Sequence, residues 1–312
     1  MEELPQLRSR ASIVCEWLGV SLTVVLAAGL YWVMPGFGPD QQMAALTWLG
    51  SSWNVELGYE HAHCIPFIML ALFIWRWRSL RSSIGPSSSK AIPILLIAAC
   101  LFFIAHRIPQ PRIAVLSLPM LLWGSAWYFW GWKVAKLSFS PLFLLVLAIP
   151  FPSLWRFSQF LEVFSTKLCQ ITTSWFGIEV NVSGSVVFSS PGSLPPLEIS
   201  QICGGNFSLK ILMLVASVWA CLATMAPWKK LLLILAVVPI EIIGNGLRLT
   251  SIFVIYEHGD PEFAQGQWWD WSGLLLLYPV ALTLIYATHA LLKREFPKLS
   301  HLYSQIGQVP KN

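Results

Sequence analysis

Cys203 stands directly before two glycines and an asparagine in the run EISQICGGNFSLKILMLV, Glu198 to Val215. The apolar residues that follow predict a helix beginning near Gly204. A helix starting there aims its free N–H groups and positive dipole end at the sulfur, which favours the nucleophilic thiolate. The same N–H groups suit the oxyanion of an acyl transfer. Gly204 and Gly205 let a substrate backbone approach closely. The competing reading is a small buried hydrophobe, which suits Cys15, Cys100 and Cys221 within apolar runs. Cys64 falls near a helix end. A Cys169–Cys203 disulfide, permitted in an oxidising compartment, is the other alternative.

Arg248, in EIIGNGLRLTSIFVIY, is the second chemical candidate. It falls about 17 residues into an apolar run, roughly 25 Å from the start of that run. A cation within such a run is expensive and marks a functional position; the alternative is an arginine snorkelling to headgroups. Glu241 lies seven residues before Arg248 on the same helical face, and Lys210 lies seven after Cys203. The count puts ammonium and carboxylate at one depth, about 10 Å below the outer surface. It predicts a structural ion pair, Lys210–Glu241, beneath the site.

The elements that must position these groups follow from composition. Of 312 residues, 56% are hydrophobic and 11% charged, with 17 tryptophans. Soluble domains carry about 25% charged residues. Apolar stretches recur at 12–34, 59–77, 91–106, 113–132, 138–152, 206–226, 231–256 and 273–292. Each approaches the length that crosses a bilayer as a helix. The expected fold is an all-α polytopic membrane protein of about eight transmembrane helices, forming a single membrane domain over residues 1–312. The net charge of +5 does not point to nucleic acid, because basic residues flank the apolar runs. The first run contains Glu16 and lacks a small-residue cleavage site, so no cleavable signal peptide is expected.

Charge sets the expected orientation. Of 20 lysines and arginines, Lys210 and Arg248 fall within runs and Arg107, Arg112, Arg156 and Lys167 fall in one set of loops. The remaining fourteen, among them Arg76, Arg78, Arg81, Lys229 and Lys230, fall in the other set. By the positive-inside rule both termini are cytoplasmic and Cys203 is on the outer face.

The outer segment 151–202 is expected to form a small extracytoplasmic cap. Helically spaced apolar residues and tryptophans predict an interfacial helix in PFPSLWRFSQFLEVFSTKLCQITTSWFG. Val180, Val182, Val186 and Phe188 around a Ser-Gly turn predict a hairpin, with LEIS as a third short strand. Internal repeats and a second soluble domain are not apparent.

Rival chemistries are poorly served. His61, His63 and Cys64 could argue for a metal, but the HxH spacing splits the histidines around a helix and there is no HExxH. There is no GxSxG for a serine enzyme and no closely spaced cysteine pair for a thiol–disulfide carrier. Neither a metal nor a cofactor is expected. The strongest non-enzyme alternative is a transporter or lipid-handling protein whose path is lined by Arg248, Glu241 and Lys210.

In order, these motifs resemble the exosortase/archaeosortase family of membrane cysteine transpeptidases. ICGGN before a helix is similar to the family's cysteine motif, and NGLRLT to its Asn-x-x-Arg motif. GYEHAHCIPFIMLALFIWRWR resembles its early helix and SPLFLLVLAIPFPSLW its helix ending in Pro-x-Pro; the valine-rich hairpin also matches. The resemblance covers roughly residues 50–295.

It implies a bacterial inner-membrane protein whose partners are membrane-anchored substrates with a C-terminal sorting signal. That signal is a short Pro-Glu-Pro-like motif, a transmembrane helix and a basic tail. The Cys203 thiolate would attack the peptide carbonyl and form an acyl-thioester, with Arg248 as the catalytic cation. The family usually adds a third polar residue, most often histidine, four residues before a glycine opening the last helix. Here FAQGQWWDWSG offers Trp269 at that spacing and Asp270 beside it. Asp270 is the tentative third residue and His258, in YEHGD, its alternative. Asn206 and Asn245 are candidate amide donors to oxyanion or substrate, or helix-end packing residues.

Overall fold

In lipid every backbone N–H needs an internal partner, so apolar runs of this length become helices. The computed structural model describes residues 10–184, 186–189, 197–198 and 205–294 and is predominantly helical. Four helical stretches are long and apolar enough to cross a membrane: Ser89–Arg107, Pro111–Leu147, Pro227–His258 and Gln267–Lys293. Shorter apolar helices cover Trp17–Val33, Glu60–Trp75 and Phe207–Leu222. Phe67, Ile74, Phe103 and Tyr286 remain at least 60% exposed on these helices. That surface suits hydrocarbon. The molecule is an all-α membrane protein with one small sheet.

Where hydropathy suggests one continuous membrane domain, the contacts form two compact units, Met1–Pro152 and Ser153–Asn312. The first contains α1 (Arg10–Ala28), α2 (Ala45–Ser51), α3 (Ile65–Trp75), α4 (Trp77–Ser82), α5 (Ile92–Arg107) and α6 (Pro111–Leu147). Tyr31, Phe37, Leu49, Phe102 and Val115 form its buried core. The Tyr31 and Ser117 hydroxyls share a hydrogen bond of 2.5 Å within it.

The boundary expected between the fourth and fifth runs lies at Gly131, inside α6. Gly131 adopts φ +81° and ψ 175°, a conformation essentially confined to glycine. The chain folds back there, so that Trp123 meets Phe139 edge to face at 5.4 Å and donates its indole N–H to the Ala135 carbonyl. A straight helix would hold residues 123 and 139 about 24 Å apart.

The second unit begins with α7 (Pro152–Ser174), followed by β1 (Val180–Ser183), β2 (Val186–Ser189) and β3 (Leu197–Glu198). These strands form an antiparallel sheet in that order, with Val182 opposite Val187 and Val187 opposite Leu197. Val180 and Val187 pack with Cys169, Ile178, Leu249 and Phe253. The Gln170 amide donates to the Val180 carbonyl and ties the sheet to α7.

Next come α8 (Gly205–Leu222), α9 (Pro227–Leu235), α10 (Val237–His258), α11 (Pro261–Gln265) and α12 (Gln267–Ser272). A π-helical turn, Gly273–Leu277, leads into α13 (Tyr278–Lys293). Leu161, Leu209, Leu212, Val237, Ile240 and Leu277 belong to the core shared by α7, α8, α10 and the π turn.

Helix α7 packs alongside α10. Leu168 packs on Gly246 and the Thr172 hydroxyl bonds the Thr250 hydroxyl, so the two helices advance in parallel. A Cβ on Gly246 would sit 2.8 Å from Leu168 Cδ2, so only glycine permits this approach. Hydroxyls that would want water at an interface are satisfied internally: Ser165, Thr172 and Thr173 each donate to the carbonyl four residues back. That back-bonding lets a face rich in Ser and Thr be buried.

Candidate active site

Helix α10 carries Glu241, Asn245 and Arg248 at spacings of four and three residues, which places them on one face. All three are buried. Arg248 is 8% exposed. Its Nε donates to Ser272 Oγ at 2.9 Å and its Nη2 to the Trp269 carbonyl at 3.0 Å. The Ser272 hydroxyl donates to that same carbonyl at 3.2 Å. Both acceptors are neutral and belong to α12. Gly273 opens the π turn against the guanidinium, and its missing Cβ would lie 3.8 Å from Arg248 Cζ. Trp268 fastens the same segment again by donating its indole N–H to Ser251 Oγ at 2.9 Å.

Two turns below, Glu241 is 2% exposed and accepts a hydrogen bond of 2.5 Å from Ser208 Oγ of α8. The other Glu241 oxygen, one Glu162 oxygen and the Asn245 carbonyl oxygen are buried without a hydrogen-bond partner. Glu162, on α7, and Arg248 both act electrostatically on the Glu241 carboxyl.

The Ser208–Glu241 bond fixes the register of α8 on α10. The short 223–226 connection makes α8 antiparallel to the α9–α10 pair. Arg248 lies seven residues beyond Glu241, about 10 Å along α10, while α8 begins only three residues beyond Ser208, about 4.5 Å. The guanidinium therefore stands about one turn past the level of the first residue of α8. The start of a helix and a buried cation lie within about one turn of each other along the helix axes. Such a place suits an anionic nucleophile or a developing oxyanion.

The expected site residues divide accordingly. Cys203 and Gly204 lie outside the described residues. Gly205 is the first residue of α8 and Asn206 the second. Asn245 is 1% exposed at the level between Glu241 and Arg248. Asp270 is exposed on α12, and Arg248 is held by Trp269 and Ser272. Those two are three residues apart and share a helical face, whereas Asp270 is one and two steps from them, about 100° and 200° around the helix. His258, the alternative, is exposed at the end of α10, with its Nε2 3.2 Å from the Phe176 carbonyl. It lies ten residues, about 15 Å, beyond Arg248.

Lys210 is buried as expected, but the hydrogen bond to Glu241 comes from Ser208.

Cys169 is fully buried among Ile178, Val180, Val187, Leu249 and Phe253, the surroundings of a small hydrophobe. In the first unit the two histidines once weighed as metal ligands have separate aromatic neighbours. His61 packs on Tyr59 and His63 on Trp53.

Ser208, Glu162 and Ser272 are the residues that sequence reasoning missed. Ser272 had one signal, its place directly before the glycine that opens the final helix. Ser208 and Glu162 had none, since their partners lie on other helices.

No curated protein and no solved structure shows a significant match to this chain. The sequence model described as transmembrane exosortase matches residues 53–287, well over half of the chain. That stretch contains both the ICGGN run and Arg248 with the α12 residues that grip it, so the chain belongs to the transmembrane exosortase family.

Proposed function

We propose that this exosortase is a membrane-embedded cysteine transpeptidase that cleaves C-terminal sorting signals on the outer face of the bacterial inner membrane. Cys203 is the nucleophile and Arg248 the cation that holds thiolate and oxyanion. An arginine with a pKa above 12 is a poor proton donor, so its part is electrostatic. The thiolate adds to the peptide carbonyl, the amine leaves with a proton, and an acyl-thioester remains for a second nucleophile. Free N–H groups at the start of α8, and the backbone near Gly204 and Gly205, receive the oxyanion. The α7–sheet segment forms the cap over the site, and the substrate's own transmembrane helix approaches through lipid.

The observation that carries this reading is a buried guanidinium held by two neutral acceptors, about one turn past the level at which α8 begins. A cation buried in a membrane helix marks a functional position by default. The test is co-expression of the full chain with a reporter that ends in a Pro-Glu-Pro motif, a transmembrane helix and an arginine cluster. Cys203→Ala and Cys203→Ser are expected to abolish reporter processing while the protein accumulates normally in the membrane. Processing retained by the alanine variant sinks the enzyme reading and favours a transporter, which has no use for that thiol.

A further inference from the structure

The guanidinium of Arg248 has two usable edges. Nε–H and one Nη2–H form the side-on edge; one N–H from each Nη forms the end-on edge. The bonds to Ser272 Oγ and to the Trp269 carbonyl occupy the side-on edge. No hydrogen bond to the end-on edge is present among the described residues.

Ser272 is fully buried. Its proton is committed to the Trp269 carbonyl, so an oxygen lone pair is what meets Arg248 Nε. The three groups close a ring in which every partner of the cation is uncharged. A carboxylate in the same place would hold the arginine equally well but would neutralise it and repel an incoming anion. Asp270, adjacent in sequence, is exposed, and Glu241 on the α10 face takes its bond from Ser208. The π-helical turn that follows, a feature often found at functional sites, brings Gly273 against the guanidinium.

We propose that Ser272, with the Trp269 carbonyl, is the positioning element for Arg248, fixing the side-on edge so that the end-on fork is presented to the reacting anion. This rests on the functional reading given above, in which that anion is the Cys203 thiolate and then the oxyanion. Ser272 does not touch substrate. It acts through the arginine.

The test needs no substrate. The full-length protein in lipid nanodiscs is treated with iodoacetamide from about pH 5 to 10, a window that spans ordinary and depressed thiol titrations. Modification of Cys203 is read by peptide mass. Arg248→Gln is expected to raise the pH midpoint of alkylation by about one to three units, the span typical of a lost opposite charge. Ser272→Ala is expected to raise it by a fraction of that, with an unchanged thermal unfolding midpoint. Ser272→Thr, which keeps the hydroxyl, is expected to restore the wild-type profile. Ser272→Val against Ser272→Thr repeats the comparison at constant shape if the alanine variant accumulates poorly. A shift in Arg248→Gln with none in Ser272→Ala or Ser272→Val refutes the positioning role and leaves the functional reading standing. No shift in Arg248→Gln refutes the arginine–thiolate reading itself, and the proposal falls with it.

Discussion

Replacing Ser208 by alanine tests the register on which the site is built. Its hydroxyl is the donor to Glu241 Oε1, at 2.5 Å, and the other carboxyl oxygen has no hydrogen-bond partner. Ser208→Ala therefore leaves a 2%-exposed carboxyl with no donor at either oxygen. Hydrogen bonds to charged groups contribute about 1.5–3 kcal/mol, and a buried group left unsatisfied bears its full desolvation. Measured couplings between helices in membranes are smaller, averaging about 0.6 and reaching about 1.7 kcal/mol. The expected loss for Ser208→Ala is thus about 1.5–3 kcal/mol, and the expected coupling with Glu241→Gln about 0.6–1.7 kcal/mol. The assay is reversible unfolding by sodium dodecyl sulfate in mixed micelles, on wild type, both single variants and the double variant. A second cycle pairs Lys210→Met with Glu241→Gln. Coupling in the serine cycle that exceeds the lysine cycle is the expected result. The reverse order, or a serine coupling near zero, would refute the register and restore the ion pair that counting along the sequence suggests.

Two further outcomes follow from the packing. Gly246→Ala places a Cβ 2.8 Å from Leu168 Cδ2 and 3.1 Å from Leu168 Cβ. It forces α7 off α10 at a cost of about 1–3 kcal/mol, read in the same unfolding assay; Leu168→Ala combined with it is expected to recover part of the loss, and no change in Gly246→Ala would disprove the close approach. Asp270→Asn is expected to process the sorting-signal reporter within about twofold of wild type, because the side chain is exposed and away from Arg248. A loss of the 100-fold order typical of a general acid or base would return Asp270 to the catalytic set.

Much of the architecture was legible before any coordinates. The apolar runs sit where the helices are, because length and hydropathy alone decide whether a segment tolerates hydrocarbon. The valine-rich alternation marks β1 and β2, and the Gly-Gly after Cys203 marks the start of α8. Arg248 stood out because a cation in an apolar run has so few alternatives. The motifs around it carried the family. These properties belong to single segments, and local periodicity reports them.

Contacts between segments were the part that sequence could not supply. Counting seven residues along two helices pointed to Lys210 as the neighbour of Glu241, but could not supply the hydrogen bond from Ser208, which depends on helix rotation. The packing of the 151–174 helix against α10 was not legible either: Gly246 admits Leu168, and the α7 hydroxyls satisfy themselves on their own backbone. Asp270 was favoured by its charge, yet the turn of α12 delivers Ser272 and the Trp269 carbonyl to the guanidinium. A 100° step per residue separates neighbours in sequence onto different faces. Sequence alone determined which residues lie at membrane depth and which of them are costly there. Tertiary structure decided which partner meets each one, since that depends on the rotation and register of helices far apart in the chain.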